Sequence, residues 1–456
     1  MKQKVDLLKE SILPALTKLA VPIMATSLVQ MAYNLTDMAW IGRLGSGAVT
    51  AVGSAGMYTW FSQGFAILAR TGGQVKAAHS LGAGEDEMAA LYARGAIQLG
   101  IFFAILYGLA SFFGAGPLIG FFGLQDPETI TAAEQYLQIA GGLVVFSYLN
   151  SILTGLFTAT GDSRTPFRAN VAGLLFNVVL DPLLIFGLGP FPALGAVGAA
   201  AATVLAQFVV SQIFWGKVRQ ETQLFADFHL FLGTPFPYIR EIVRIGFPAA
   251  TQNLIYAGIS MILTRLVAGW GDKAVAIQRV GSQIESVSWM VGDGFAAAIN
   301  AFIGQNFGAR QMERVKKGFY TAMAMTAAWG LCTTSLLYFC AEPLFSIFIA
   351  EADVLAGGVE YLRIIAFSQL LMLVEQTAIG AFSGLGKTLY PSVVSVTLTS
   401  ARIPLAYLFS GAGLGLAGIW WALTVTSDAK GILLFASFLF FLPGLAGKQK
   451  KGDRKK

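Results

Sequence analysis

The sequence specifies an all-α integral membrane protein of twelve transmembrane helices in two pseudo-symmetric six-helix lobes. Three observations predict this class. First, 55% of the 456 residues are hydrophobic and only 12% are charged, whereas a soluble domain carries about 25% charged residues, so most of this surface must face lipid. Second, apolar runs long enough to cross about 30 Å of hydrocarbon recur twelve times. Third, the second half of the chain repeats the first at a nearly constant offset.

The predicted helices cover 14–40, 50–74, 92–114, 133–158, 166–188 and 193–216, then 242–268, 274–304, 317–341, 359–384, 390–410 and 415–441. The polar stretch 217–241 divides the chain, giving an N-lobe (1–216), a cytoplasmic linker (217–241), a C-lobe (242–441) and a basic tail (442–456). Fifty-two glycines suit helices that pack closely in a membrane. The first apolar run follows a charged segment and is too long for a cleavable signal peptide.

The loops set the orientation. With the N-terminus inside, 23 basic residues fall on the inner side, from Lys2, Lys4 and Lys9 to the tail Lys448, Lys450, Lys451, Arg454, Lys455 and Lys456. The outer side has four: Arg43, Lys273, Arg279 and Arg363. This asymmetry places both termini in the cytoplasm of a multi-pass plasma-membrane protein. It also accounts for the net charge of +6 without a nucleic-acid partner, the tail being suited to anionic lipid headgroups. The two cysteines, Cys332 and Cys340, have no Cys/His cluster beside them and predict neither a metal nor a redox site.

The repeat is read residue by residue. An offset of 226 lays Pro22 on Pro248, Gly45 on Gly271 and Gly82-Ala83 on Gly308-Ala309; an offset of 225 lays Gly155 on Gly380 and Gly161 on Gly386; an offset of 220 lays Gly195 on Gly415. Six helices per half is an even number, so both halves enter the membrane in the same sense, as in parallel-repeat transporters.

The chemistry sits in polar residues inside apolar runs. Asp37 shares a helix face with Gln30 and Tyr33, and Asp181 shares one with Asn177 four residues earlier. A carboxylate in hydrocarbon costs at least about 2.5–3.5 kcal/mol and persists only with partners, water or a proton. Two such groups brought together cannot both ionise cheaply, so they suit reversible uptake of H⁺ or of Na⁺ held by Asp37, Asp181 and Asn177. Asn150, Thr154 and Thr203 supply further neutral oxygens, and Pro22 gives the first helix a place to bend. In the second half Asp37 corresponds to Leu263, Asn150 to Glu375 and Asn177 to Arg402. Glu375 and Arg402 are therefore expected to be neighbours that neutralise each other, with Glu285 and Asp293 as further C-lobe polar groups. Asp428 and Lys430, two apart, cannot face each other on one helix. Met31, Met57, Phe61, Phe157 and Trp289 are candidates to line a cavity for flat organic cations. No phosphate-cradling loop and no enzyme constellation is present, so the expected protein is not an enzyme, needs no cofactor, and draws on an ion gradient.

The segments Leu35–Gly42 (LTDMAWIG), Leu156–Phe167 (LFTATGDSRTPF), Asn177–Gly187 (NVVLDPLLIFG) and Ile303–Lys317 (IGQNFGARQMERVKK) together resemble the prokaryotic branch of the multidrug and toxic compound extrusion family. The resemblance implies a twelve-helix, V-shaped two-lobe exporter that exchanges H⁺ or Na⁺ for organic cations or drugs; the expected functional unit, which the resemblance does not supply, is a monomer. It assigns the ion site to Asp37, Asp181, Asn177 and Thr203, with Gln30, Tyr33 and Tyr136 around it and Pro22 as the bending point. The acidic residue that some members carry in helix seven is absent here, which favours the N-lobe route. A major-facilitator-type exporter and a lipid-linked precursor flippase are the alternatives; the loop at Lys76–Gly84 lacks the basic motif of the former, and neither extra helices nor a strongly cationic cavity points to the latter.

Overall fold

The computed structural model describes the backbone at 4–225, 229–348 and 351–453, and the side chains there except at 46, 222–223, 272 and 443–453. Lys2, Arg454, Lys455 and Lys456, and the side chains of Lys448, Lys450 and Lys451, lie outside the described residues.

Every described regular element is helical. In chain order they are α1 (Ile12–Gly42), α2 (Ser46–Ala83), α3 (Asp86–Phe113), α4 (Ala115–Gly120), α5 (Pro127–Ala140), α6 (Val145–Ala159), α7 (Arg164–Phe186), α8 (Gly195–Val218) and α9 (Thr222–Phe225). There follow α10 (Phe236–Ala268), α11 (Asp272–Gly308), α12 (Met312–Phe339), α13 (Ala341–Ser346), α14 (Ala352–Gly384), α15 (Leu389–Ser400), α16 (Arg402–Phe409) and α17 (Gly415–Asp453).

Each of the twelve predicted spans overlaps described helix. Eight stretches of described helix are long and apolar enough to cross a membrane, or nine with the pair α5 and α6, bent by 46° at the break between them. The predicted span 133–158 is thus two segments, because Gly141 and Gly142 lie between them and break the run. The last apolar stretch, Leu389–Leu442, contains two spans, since the backbone changes direction at Gly413 (φ 98°). With α2 and α10, which are long but more polar, the twelve are complete.

The chain packs as two compact units. Of the described residues, one unit holds those within 4–5 and 25–250, and the other those within 6–24 and 251–453. The crossings, Met24/Ala25 in α1 and Ala250/Thr251 in α10, are 226 residues apart, the offset of the repeat, and each follows its proline by two residues. In the first unit α2 packs against α3, α5 and α6, and α7 lies along α8; in the second, α14 is central and packs on α11, α12 and α17.

The segment leading into each half's first helix is pinned by side chains. In the second unit Arg314 donates to the carbonyls of Leu7 (2.9 Å) and Glu10 (2.8 Å), and Asn306 Nδ2 donates to the Leu7 carbonyl at 3.0 Å. In the first unit Gln98 donates to the carbonyls of Leu230 (2.7 Å) and Leu232 (2.9 Å), and Arg94 to Thr234 Oγ1 at 3.2 Å. The first half of α10 then seats against α2 at a backbone-to-backbone contact: a Cβ on Gly246 would fall 1.9 Å from the Leu68 carbonyl oxygen. Only glycine permits that approach.

Candidate functional site

The sequence Thr160-Gly161-Asp162-Ser163 sets the start of α7. Gly161 turns the chain with φ +84°, and the Asp162 carboxylate accepts from the amides of Arg164 (3.1 Å) and Thr165 (3.0 Å), satisfying donors that open the helix. From there α7 carries Asn177 and Asp181 inward, both fully buried. Glycine at 198 lets α8 approach the end of α7, since a Cβ there would meet the Leu184 carbonyl oxygen at 2.4 Å. This brings Thr203 to the same level.

The structure gathers Asp37 and Tyr33 of α1, Tyr136 of α5, Asn177 and Asp181 of α7 and Thr203 of α8. Asn177 Nδ2 donates to Asp181 Oδ1 at 2.9 Å. The Asp37 and Asp181 carboxyls lie within direct interacting distance of one another. Tyr33 lies against Thr203, and both tyrosines are within electrostatic reach of the two carboxyls. Asp37 Oδ1, Asp181 Oδ2, Asn177 Oδ1, Tyr33 OH and Thr203 Oγ1 are buried without a well-formed hydrogen bond from the protein, and no Lys or Arg forms an ion pair with either aspartate among the described residues. Buried polar atoms of this kind are normally satisfied. Such a set offers several oxygens to a proton or a hard monovalent cation. No group of three or more His, Cys, Asp or Glu forms a metal site among the described residues.

The remaining first-unit candidates lie around this centre. Gln30 is exposed, reaches Asn34 at 3.5 Å, and with Tyr33, Asn170 and Gln207 lines a cavity of about 10 Å³. Asn150 is fixed by Gln207, whose carbonyl and Oε1 both accept from its Nδ2 at 2.8 Å, and by Ser211 Oγ at 2.8 Å. Thr154 donates only to the Asn150 carbonyl, 2.7 Å away in its own helix. Pro22 lies inside α1. Met31 is half-buried, while Met57, Phe61 and Trp289 are about half exposed. Phe157 does not line a cavity: it is 2% exposed and stacked on Phe214 in the core of the first unit, because its position on α6 faces α8.

The second unit differs. Positions corresponding to Tyr33, Asp37 and Asp181, namely Ile259, Leu263 and Ala406, are buried in an apolar core, and Leu423, which corresponds to Thr203, packs on it. Its polar groups sit elsewhere. Glu375 pairs with Lys430, not with Arg402: Nζ–Oε1 is 2.9 Å and both side chains are 7% exposed. Arg402 instead donates to Thr426 Oγ1 (3.0 Å) and Ser427 Oγ (2.9 Å). The physical reason is register on α17: Lys430 lies three to four residues beyond Thr426 and Ser427 on the same face, so Arg402 and Glu375 meet that helix one turn apart. Gly431 brings α17 close enough, as a Cβ there would fall 2.3 Å from the Leu371 carbonyl oxygen. Glu285 accepts from Gln369 Nε2 at 3.3 Å and Tyr361 OH at 3.4 Å, and Asp293 is exposed.

Sequence reasoning missed the Lys430 partner and the clamps formed by Asn306 and Arg314. The repeat held a signal for the first, since Asn150, the counterpart of Glu375, is held from α8, the counterpart of α17.

Two six-helix repeats with a buried polar site in one of them define a membrane transporter rather than an enzyme. The MatE family model matches residues 22–183 and again 248–408; the chain belongs to this family, that of the multidrug and toxic compound extrusion transporters. It is 28% identical over 445 residues to the probable multidrug resistance protein NorM of Thermotoga maritima, covering 96% of this chain and 93% of that protein. It is 27% identical over 445 residues to a FAD transporter of Shewanella oneidensis, covering 95% and 96%. Its fold matches a crystal structure of MATE in the bent conformation with a TM-score of 0.90 at 24% identity, covering 98% of this chain and 99% of the other.

Proposed function

We propose that the protein is a secondary active exporter that moves organic cations or drugs out of the cell against H⁺ or Na⁺, by alternating access, with ion coupling in the first unit. The observation that supports this reading is the facing pair of Asp37, half-buried, and Asp181, fully buried, each with a buried oxygen that has no hydrogen-bond partner and neither with a basic partner among the described residues. Binding one cation would neutralise the pair and relieve the cost of holding two charges in low dielectric. Asp37 lies on the helix that carries Pro22, fifteen residues earlier, so a change of charge there acts on an element that can bend. The inner excess of Lys and Arg supports a plasma-membrane orientation with both termini in the cytoplasm.

The match over both repeats favours this reading over a major-facilitator-type exporter or a lipid-linked precursor flippase. The relatives carrying multidrug resistance names favour drug-like substrates. The test is Asp37→Asn in a drug-sensitised host: resistance should be abolished while the variant still reaches the membrane. Retained resistance would overturn the assignment.

A further inference from the structure

Several basic side chains set into the helices have partners. Lys430 pairs with Glu375, Arg402 donates to Thr426 and Ser427, and Lys76 pairs with Glu241. Arg70, in α2, does not. It is half-buried, and among the described residues it has no hydrogen bond, ion pair or aromatic ring. Neither α2 nor α6, the helix it lies against, contains an aspartate or a glutamate. A guanidinium is always charged and carries five N–H donors and no acceptor. One held within a membrane-spanning helix needs an anionic or acceptor partner.

Glycine makes the place it occupies. A Cβ on Gly155 would fall 2.8 Å from Arg70 Cγ and 3.2 Å from Gln74 Oε1. Gly155 thus leaves the room in which these two side chains, one turn apart on α2, lie side by side. Gln74 is 3% exposed, and its Nε2 is buried with no hydrogen-bond partner, although a buried amide donor is normally satisfied. The neighbouring hydroxyls of α6 are turned to their own helix: Thr154 donates to the Asn150 carbonyl and Thr158 to the Thr154 carbonyl, each at 2.7 Å. The second unit has no such place. Arg70 corresponds there to Ala296, and Gly380, the counterpart of Gly155, serves a backbone contact instead, since its Cβ would fall 2.3 Å from the Ala296 carbonyl oxygen.

We propose that Arg70 and Gln74 form an oxyanion subsite in the first unit: the guanidinium and the Gln74 amide N–H receive a carboxylate carried by the substrate. A carboxylate has two oxygens and accepts from both side chains together, with the charge-assisted bonds of a guanidinium. An ester or amide at the same position of the substrate brings no charge and one carbonyl oxygen. This goes beyond the transport reading above, in which the substrate contributes a positive charge, and rests on it; organic molecules bearing a carboxylate join the substrate class.

The test uses two probes with one aromatic body, rhodamine B, which carries a carboxylate, and its ethyl ester, which does not. Binding to purified full-length protein is read by fluorescence anisotropy. Arg70→Gln should raise Kd for rhodamine B roughly tenfold, the factor carried by a charge-assisted hydrogen bond, and leave the ester unchanged, which also reports that the variant is folded. Gln74→Leu should raise Kd for rhodamine B by a smaller factor and again spare the ester. Arg70→Lys, which keeps the charge, should recover part of the loss. An equal change for both probes, no change for either, or no binding of rhodamine B to the wild type would overturn the inference. Proteoliposomes separate the two levels. If Arg70→Gln moves rhodamine B under an ion gradient as fast as the wild type does, only the subsite fails. If the wild type moves neither probe under any gradient, the transport reading fails.

Discussion

Replacing Lys430 with methionine isolates one buried interaction whose geometry is well defined. The ammonium lies 2.9 Å from Glu375, and each side chain is 7% exposed. Removing it leaves a carboxylate in a site with little water, its nearest other hydrogen-bond partner being Ser395 Oγ at 3.5 Å. Breaking a buried pair from one side costs about 3–5 kcal/mol, whereas removing both charges together is often neutral or stabilising. Lys430→Met and Glu375→Gln should therefore each destabilise strongly, and the double variant should recover most of the loss, giving a coupling energy of about 2–4 kcal/mol. Unfolding in mixed micelles, followed by tryptophan fluorescence, measures the cycle. The control cycle pairs Glu375→Gln with Arg402→Met; these residues meet α17 at different turns with no direct hydrogen bond between them, and should couple clearly less than Glu375 and Lys430 do. Equal coupling in the two cycles, or a neutral Lys430→Met, would refute the reasoning.

Gly246→Ala places a methyl where the Leu68 carbonyl oxygen already is; the helices must separate, at about 1–3 kcal/mol, and a lowered thermal midpoint checks this. Arg314→Ala removes the bonds to the carbonyls of Leu7 and Glu10, so amides from Leu7 to the start of α1 should exchange hydrogen markedly faster while α14 is unaffected. Outside the membrane-spanning segments, partial burial pushes Glu241 up, but bonds from Lys76 and Tyr92 outweigh it and hold the carboxyl below its ordinary value of 4.5. A depressed carboxylate contributes stability above its ordinary value and loses it as the pH falls. Glu241→Gln should accordingly be less stable than wild type at neutral pH, with the gap closing as the pH drops through 4.5 and below.

Much of this architecture is legible in the sequence because hydrocarbon imposes it: a span must be long, apolar and helical, and twelve such runs stand out even where Gly141 and Gly142 break one. The acid site is legible for the same reason, since Asp37, Asp181 and Asn177 are costly in lipid and conspicuous by residue type. What the sequence does not convey is the rotation and axial level of one helix against another. Glu375 selects Lys430 because Gly431 lets α17 close on α14, and no spacing within either helix encodes that. The crossing of α1 and α10 from one unit to the other is similarly set by contacts far apart in sequence. Arg314 read as one more inner cation, although its donors hold the chain before α1.

The central claim is that the pair Asp37 and Asp181 converts an ion gradient into drug movement. Drug flux in proteoliposomes under an imposed pH gradient, and then under a Na⁺ gradient, tests it most directly when wild type, Asp37→Asn and Asp181→Asn are compared with drug binding measured alongside. The account predicts that one gradient drives flux in the wild type and that each variant loses this drive while still binding drug. Flux in Asp37→Asn that follows the same gradient as the wild type would contradict it.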